Sequence, residues 1–184
     1  MSQSKLSKSP INIDLEFHSK KWRNIENIDD FIIDTINKIL INSPLKNFLK
    51  KGCLIELSII LCNNMQIKKI NKKFRKIDKP TNILSFANLD EKNIQINGLN
   101  KTIGKSQFIF LGELILAYEY IQNELIFNHK NFFHHMTHLL AHGILHLIGF
   151  DHEDENMANE MENLEIKILK KFNINNPYKI NENS

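Results

Sequence analysis

The chain has 184 residues, 42% of them hydrophobic and 24% charged, enough for one domain with a real hydrophobic core. Twenty-four Lys and Arg against 21 Asp and Glu leave a formal charge of +3, so bulk charge argues for neither a nucleic-acid nor a membrane partner. No run approaches the roughly 18 apolar residues of a membrane span, and the polar start, Met1 to Pro10 with Lys5 and Lys8, lacks the apolar core of a signal peptide. Cys53 and Cys62 fall at opposite ends of one predicted strand, roughly 30 Å apart at about 3.3 Å per residue, which is beyond disulfide reach. A reducing, cytoplasmic setting is expected.

In chain order, Ile11, Ile13, Leu15 and Phe17 alternate with Asn12, Asp14 and Glu16, the period of a strand with one buried face. Asp29 and Asp30 then open a helix on which Ile28, Ile32, Ile36, Ile39 and Leu40 share a stripe, running to about Ile41. Ser43-Pro44 breaks it, and Leu54 to Leu61 forms a second strand with Ile55, Leu57, Ile59 and Leu61 on one face. From Asn64 the period returns to helical: Ile67, Ile70 and Phe74 make the apolar stripe and Lys68, Lys69, Lys72, Lys73 and Lys76 lie mainly elsewhere. Pro80-Thr81-Asn82 turns the chain into a short strand, Ile83 to Phe86, followed by a polar loop or excursion through Lys105. A strand from Phe108 to Ala117 follows, and then helices over Tyr118–Phe127, Phe132–Ile148 and Asp154–Phe172, the last with Met157, Met161, Leu164 and Ile168 on one stripe. Strands lead and helices follow, so the class is α+β: a small mixed sheet of about four strands packed with helices, the histidine-bearing helix central. Residues 1–10 read as a polar tail, 11–178 as a single domain and 179–184 as a C-terminal tail.

The chemistry is concentrated in His142-Gly143-Ile144-Leu145-His146-Leu147-Ile148-Gly149-Phe150-Asp151-His152. Helical residues four apart lie about 40° apart around the axis and about 6 Å along it, so His142 and His146 can aim at one ion. Gly149 can adopt the backbone geometry that ends a helix and reverses the chain, which lets His152 supply a third nitrogen. Three imidazoles with one position left open describe a catalytic zinc site, one Zn²⁺ per chain, whereas structural zinc sites are closed by four protein ligands. His134 and His138 continue the four-residue ladder backwards. The drift of about 40° per step takes His134 roughly 120° from His146 and out of the site. His138 reads either as a core histidine or as a partner that orients a ligand; His18, His129 and His135 have no site argument. The spacing coincides with the H-E-x-x-H-x-x-G-x-x-H pattern of metzincin peptidases, except that Gly143 stands where their general-base glutamate would be. That counts against peptide hydrolysis.

This segment resembles the histidine motif of the YbeY family. Asn71 to Phe86, NKKFRKIDKPTNILSF, is similar to that family's asparagine, aromatic-arginine, lysine-aspartate-lysine-proline-threonine and leucine-serine-phenylalanine pattern, with Arg75 matching its arginine. Leu111-Gly112-Glu113 resembles its leucine-glycine-aspartate strand and Asn176-Pro177-Tyr178 its closing proline-tyrosine, so the match runs in order from about residue 54 to 178. Glu113 in place of aspartate and Ala87 in place of proline depart from the pattern, and the longer Glu113 leaves open any role in orienting a ligand or water.

The resemblance implies a zinc-dependent, single-strand-specific endoribonuclease acting in rRNA maturation, at the 3′ end of 16S rRNA, and in ribosome quality control, with ribosomal RNA and ribosomal particles as partners. The residues fit phosphate chemistry. Arg75 offers a planar, permanently charged fork for two phosphate oxygens and is the candidate catalytic residue, against a structural ion pair with Asp78. Lys72, Lys73, Lys76 and Lys79 are candidate RNA-backbone contacts, against a solvated helix face. The early acidic residues of the last helix, Glu153, Asp154, Glu155, Glu160, Glu162 and Glu165, suit a helix N-terminus and give it a structural role. Two other readings stand beside the nuclease: a ribosome-assembly factor stabilised by zinc with little catalysis, and a small zinc amide hydrolase.

Overall fold

The computed structural model describes residues 9–88, 108–152 and 154–179. Most of the expected N-terminal tail, the polar excursion up to Lys105 beyond Asn88, Glu153 and the last five residues of the C-terminal tail lie outside the described residues. In chain order come β1 (Ile11–Phe17), α1 (Ile28–Asn42), α2 (Lys46–Lys50), β2 (Leu54–Cys62), α3 (Asn64–Arg75), β3 (Ile83–Ala87), β4 (Phe108–Ala117), α4 (Tyr118–Asn128), α5 (Phe132–Leu147) and α6 (Glu155–Lys170), with a 3₁₀ turn over Lys20–Asn24. The strands form one mixed sheet ordered β1-β2-β4-β3, in which β1, β2 and β4 are parallel and β3 runs antiparallel to β4. The fold is therefore α+β, and no helix among the described residues is long and apolar enough to cross a membrane.

Strand alternation divides the apolar residues between the two faces of this sheet. Ile55, Leu57, Ile59 and Leu61 of β2, with Ile109, Leu111, Leu114 and Leu116 of β4, enter the larger core, where α1, α5 and α6 cover them. Cys62, Ile115, Ala117 and Leu84 point the other way and pack with Ile67 and Ile70 of α3 and Tyr120 of α4. The histidine helix α5 and the basic helix α3 consequently lie on opposite faces of the sheet. Both reach β3, which forms one end of it: α5 packs on the strand directly, and Phe74 of α3 meets Phe86.

Two local elements escape the sequence periodicity. Helix α2, five residues long, is too short to show a period, yet Phe48 on it is buried. The 3₁₀ turn carries Trp22, fully buried, whose indole N–H donates to the carbonyl of Cys62 at 2.9 Å and so ties the end of β1 to the end of β2. The two cysteines are buried at the two ends of β2, and burial pushes the Cys62 thiol up to about 12, where it stays protonated.

In β4 strict alternation would put residues 109, 111 and 113 on the core face and bury the carboxylate of Glu113. A bulge prevents this: Glu56 of β2 faces Phe110, but Ser58 faces Glu113, so β4 spends one extra residue at Gly112. The phase shift returns Leu114 and Leu116 to the core and leaves Glu113 exposed beside its cross-strand neighbour Phe86, on the face away from α5. Gly112 has φ +128°, and a Cβ there would fall 2.1 Å from the Phe86 carbonyl oxygen and 2.9 Å from the Asn88 nitrogen. Backbone atoms cannot yield as a flexible side chain does. Gly112→Ala is therefore expected to destabilise the protein by at least about 2 kcal/mol, combining a disfavoured φ with a steric clash, read as a lowered midpoint in urea denaturation with an unchanged slope.

Candidate metal centre

Helix α5 is capped at its start by Asn131, whose side chain accepts the His134 N–H, and it closes with a Schellman motif. The Phe150 N–H donates to the Leu145 carbonyl and the Gly149 N–H to the His146 carbonyl, both at 3.0 Å, with Gly149 at φ +92°. This reversal carries His152 back alongside the helix. The ligand-capable nitrogens of His142, His146 and His152 lie within 4.8 Å of one another, the geometry of a group that can hold a metal ion. His142 and His146 are partly buried, and His152 is exposed.

The proton positions follow from the partners. The Nδ1 of His142 is 2.8 Å from Oε1 of Glu165, and the Nδ1 of His146 is 3.0 Å from the Phe150 carbonyl oxygen. A carboxylate and a carbonyl only accept here, so both Nδ1 atoms carry a proton, which leaves Nε2 of each ring as the nitrogen that can face a metal. Those two Nε2 atoms face each other at 3.1 Å. The separation approaches the roughly 3.3 Å between neighbouring donors around a tetrahedral ion with bonds of about 2.0–2.1 Å. Burial first, and the adjacent His142, push His146 down to about 4, so its imidazole is neutral and available as a donor near neutral pH.

Glu165, on α6, is the residue that sequence reasoning missed. It is fully buried, and its second oxygen, Oε2, accepts from Nε2 of His138 at 2.9 Å and from the hydroxyl of Tyr178. Burial alone would raise its pKa, but hydrogen bonds from His138, His142 and Tyr178 outweigh that and hold it at about 2. Tyr178 is driven upward in turn, by its own burial and by the carboxylate it bonds. The acidic-helix reading is therefore corrected for this residue, because Glu165 faces inward between Met161, Ile168 and Leu169 on the buried side of α6. A glutamate in phase with a buried stripe was the available signal. His138 is neither a bare core histidine nor in contact with a ligand nitrogen: it holds the carboxylate that holds His142.

The other sequence candidates are placed elsewhere. Gly143 faces the sheet, where a Cβ would lie 2.8 Å from both Ile83 Cδ1 and Leu114 Cδ2, so the position of a metzincin's general base is here a point of close helix–sheet contact. Arg75 ends α3, exposed, and makes no side-chain hydrogen bond or ion pair among the described residues. Asp78 pairs instead with Lys72 at 3.0 Å and Lys68 at 3.6 Å, and the hydrogen bond from Lys72 holds its exposed carboxyl below the usual range. Lys73, Lys76 and Lys79 are exposed on the same helix end and turn, away from the histidines.

His135, buried on α5, places Nε2 2.8 Å from Glu124 of α4, whose carboxylate also accepts from Asn82 before β3. Burial would raise the Glu124 pKa, but the bonds from His135 and Asn82 bring it below the ordinary glutamate value. A depressed carboxyl stabilises the fold above its unfolded-state pKa and loses that contribution as pH falls through the folded value. Glu124→Gln should therefore be less stable than wild type near neutral pH, with the difference shrinking below pH 4.5, as read by denaturation midpoints across acid pH. For the centre itself, Glu165→Gln is expected to weaken metal binding by about 10–100-fold in chelator competition, since it removes the charged acceptor that fixes the tautomer of His142.

A family profile described as Endoribonuclease YbeY matches residues 16–173, extending the resemblance to the first strand. A relative from Bartonella bacilliformis, named Endoribonuclease YbeY, is 35% identical over 168 residues, covering 91% of this chain and 97% of its own length. The solution structure of a Thermotoga maritima protein covers 92% of this chain and 99% of its own at a TM-score of 0.50 and 19% identity, a likeness of fold alone.

Proposed function

Since the chain belongs to the YbeY endoribonuclease family, we propose that it is a zinc-dependent endoribonuclease specific for single strands, acting in the cytoplasm on rRNA precursors, at the 3′ end of 16S rRNA, and on defective ribosomal particles. The observation that carries the reading is the convergence of His142, His146 and His152, with the Nε2 atoms of the first two 3.1 Å apart and their opposite ring nitrogens already committed as donors. The three imidazoles would hold one zinc ion, which, when bound, supplies a water of pKa about 7 and a Lewis acid for a phosphodiester.

The rest of the work falls to the chain. Glu165 keeps the Nδ1 proton on His142, and the Phe150 carbonyl keeps the corresponding proton on His146, so neither ring has to reorient to present its Nε2 lone pair. Arg75 is proposed to clamp phosphate oxygens and to stabilise charge developing on the transferred group. Its freedom from a carboxylate partner among the described residues supports that role over a structural ion pair. Lys72, Lys73, Lys76 and Lys79 would follow the RNA backbone, Lys72 after giving up Asp78, an exposed contact worth little in water. RNA laid along β3 borders both the histidine helix and the end of α3. The amide-hydrolase reading loses ground, because a glutamate at position 143 would have to enter the space of Ile83 and Leu114.

The test is zinc content and cleavage of a labelled single-stranded rRNA fragment by wild type, His146→Ala and Arg75→Ala. Wild type should carry one zinc per chain and cleave, and His146→Ala should do neither. Arg75→Ala should keep its zinc and lose at least about tenfold in turnover, in keeping with a lost charge-stabilising group. Zinc-loaded wild type that leaves RNA intact across a range of salt would favour the assembly-factor reading.

A further inference from the structure

The apolar stripe of α3 overruns the core it serves. Ile67 is fully buried and Ile70 packs beside it, but Phe74, next on the same stripe, is 57% exposed. Its ring is not adrift: Phe86 of β3 meets it edge to face, with centroids 5.2 Å apart and planes at 62°. The ring is thus held in place from one side while most of the residue remains open to water.

Its surroundings are cationic. The Nζ of Lys73 lies over one face of the ring, 5.0 Å from its centroid, so a base would stack on the other face, and Arg75 follows directly in sequence. The basic turn beyond is held in one shape by Asn71, which is buried: its backbone carbonyl accepts the N–H of Lys76, a residue at φ +64°, and its side chain donates to the Lys79 carbonyl at 2.8 Å. An anchored aromatic ring beside positive charge has the two properties that a single strand recognises, a platform for a base and cations for its phosphates. A duplex offers no unstacked base to such a ring. Phe127, 82% exposed at the end of α4, is a larger exposed aromatic surface without that basic helix end beside it.

We propose that Phe74 is the stacking platform for one base of a single-stranded RNA, with Lys73 and Arg75 taking the neighbouring phosphates. The inference rests on the RNA substrate of the reading above and adds to it a physical origin for single-strand preference at this end of α3.

The test uses zinc-loaded protein and a cleavage-resistant 2′-O-methyl oligoribonucleotide, compared with an abasic strand of equal length and charge. Phe74→Leu keeps an apolar contact for Phe86 and removes the π face. It should weaken binding of the base-bearing strand between about fivefold and a hundredfold, leave the abasic strand unaffected and preserve the salt slope. Phe74→Trp should retain affinity. Because the chain's one natural tryptophan, Trp22, is fully buried, the new exposed indole should report stacking as quenched fluorescence when RNA is added. Phe127→Leu should bind as wild type does. Equal affinity of wild type and Phe74→Leu for the base-bearing strand, an equal loss on the abasic strand, or a wild type that binds neither strand overturns the platform. Cleavage of ordinary RNA, followed in parallel, separates this from the broader reading. A wild type that cleaves without any dependence of binding on Phe74 keeps the nuclease and loses the platform, and Phe74-dependent binding without cleavage does the reverse.

Discussion

The centre depends on one buried carboxylate. Removing the charge of Glu165 from water is costly, and only dense hydrogen bonding makes it tolerable. The chain supplies three donors: His142 to one oxygen, His138 and Tyr178 to the other. His138 and His142 lie four apart on α5, so a single carboxylate from α6 bridges the two and fixes how the helices face each other. Tyr178 brings the C-terminal segment back to the same oxygen. A charge that cannot remain unpaired thus specifies the approach of α6, the return of the chain end and the tautomer of one candidate ligand.

The second ring is prepared by backbone alone. Once Gly149 turns at positive φ and the Schellman bonds form, the Phe150 carbonyl stands 3.0 Å from Nδ1 of His146. The same turn that returns His152 therefore also sets the proton of His146. Both devices expend order in the folded chain to bring two ring nitrogens together where one cation can bridge them. Such local cost held in place by a surrounding scaffold is the mark of a site prepared for a ligand. The sheet supplies the scaffold: Gly143 lets α5 approach Ile83 and Leu114 closely, and the bulge at Gly112 keeps Leu114 in phase to receive it.

What the sequence disclosed follows from which of these devices repeat. Periodicity located β1, β2, α1, α3 and α6 within a few residues, because each buries a face and must show a period, while β3 was marked by the turn at Pro80-Thr81-Asn82 before it. The triad was legible for the same reason: helical spacing and a glycine at the required offset encode its geometry directly. Glu165 was not, since a glutamate in an acidic helix reads as solvent-facing until its phase against Met161 and Ile168 is counted. The bulge was hidden because one extra residue leaves the composition of β4 unchanged and alters only its phase. The ion pair of Asp78 went to Lys68 and Lys72 rather than to Arg75, a choice among equally charged neighbours on one exposed turn that composition cannot make.

The separation of α3 from α5 by the sheet bears on how the proposed activity would divide its labour. The histidines sit on the large-core face, while Arg75, the lysines and Phe74 sit at the end of a helix on the other. The end of the sheet at β3 adjoins both the histidine helix and, through the Phe74–Phe86 contact, the end of α3. That strand is entered through Asn82, whose amide donates to Glu124, whose side-chain oxygen accepts the Ile83 N–H and whose carbonyl accepts from Ala117. Glu124 in turn holds His135 on the histidine helix. The turn before β3 is therefore fastened by hydrogen bonds to α4, to β4 and, through one carboxylate, to α5, which favours a constant spacing between the two halves of the proposed site. A rigid spacing of this kind suits a polymer substrate. Affinity gathered along several nucleotides at one end can then hold a particular phosphodiester at the other, with little further entropy lost at the reacting step.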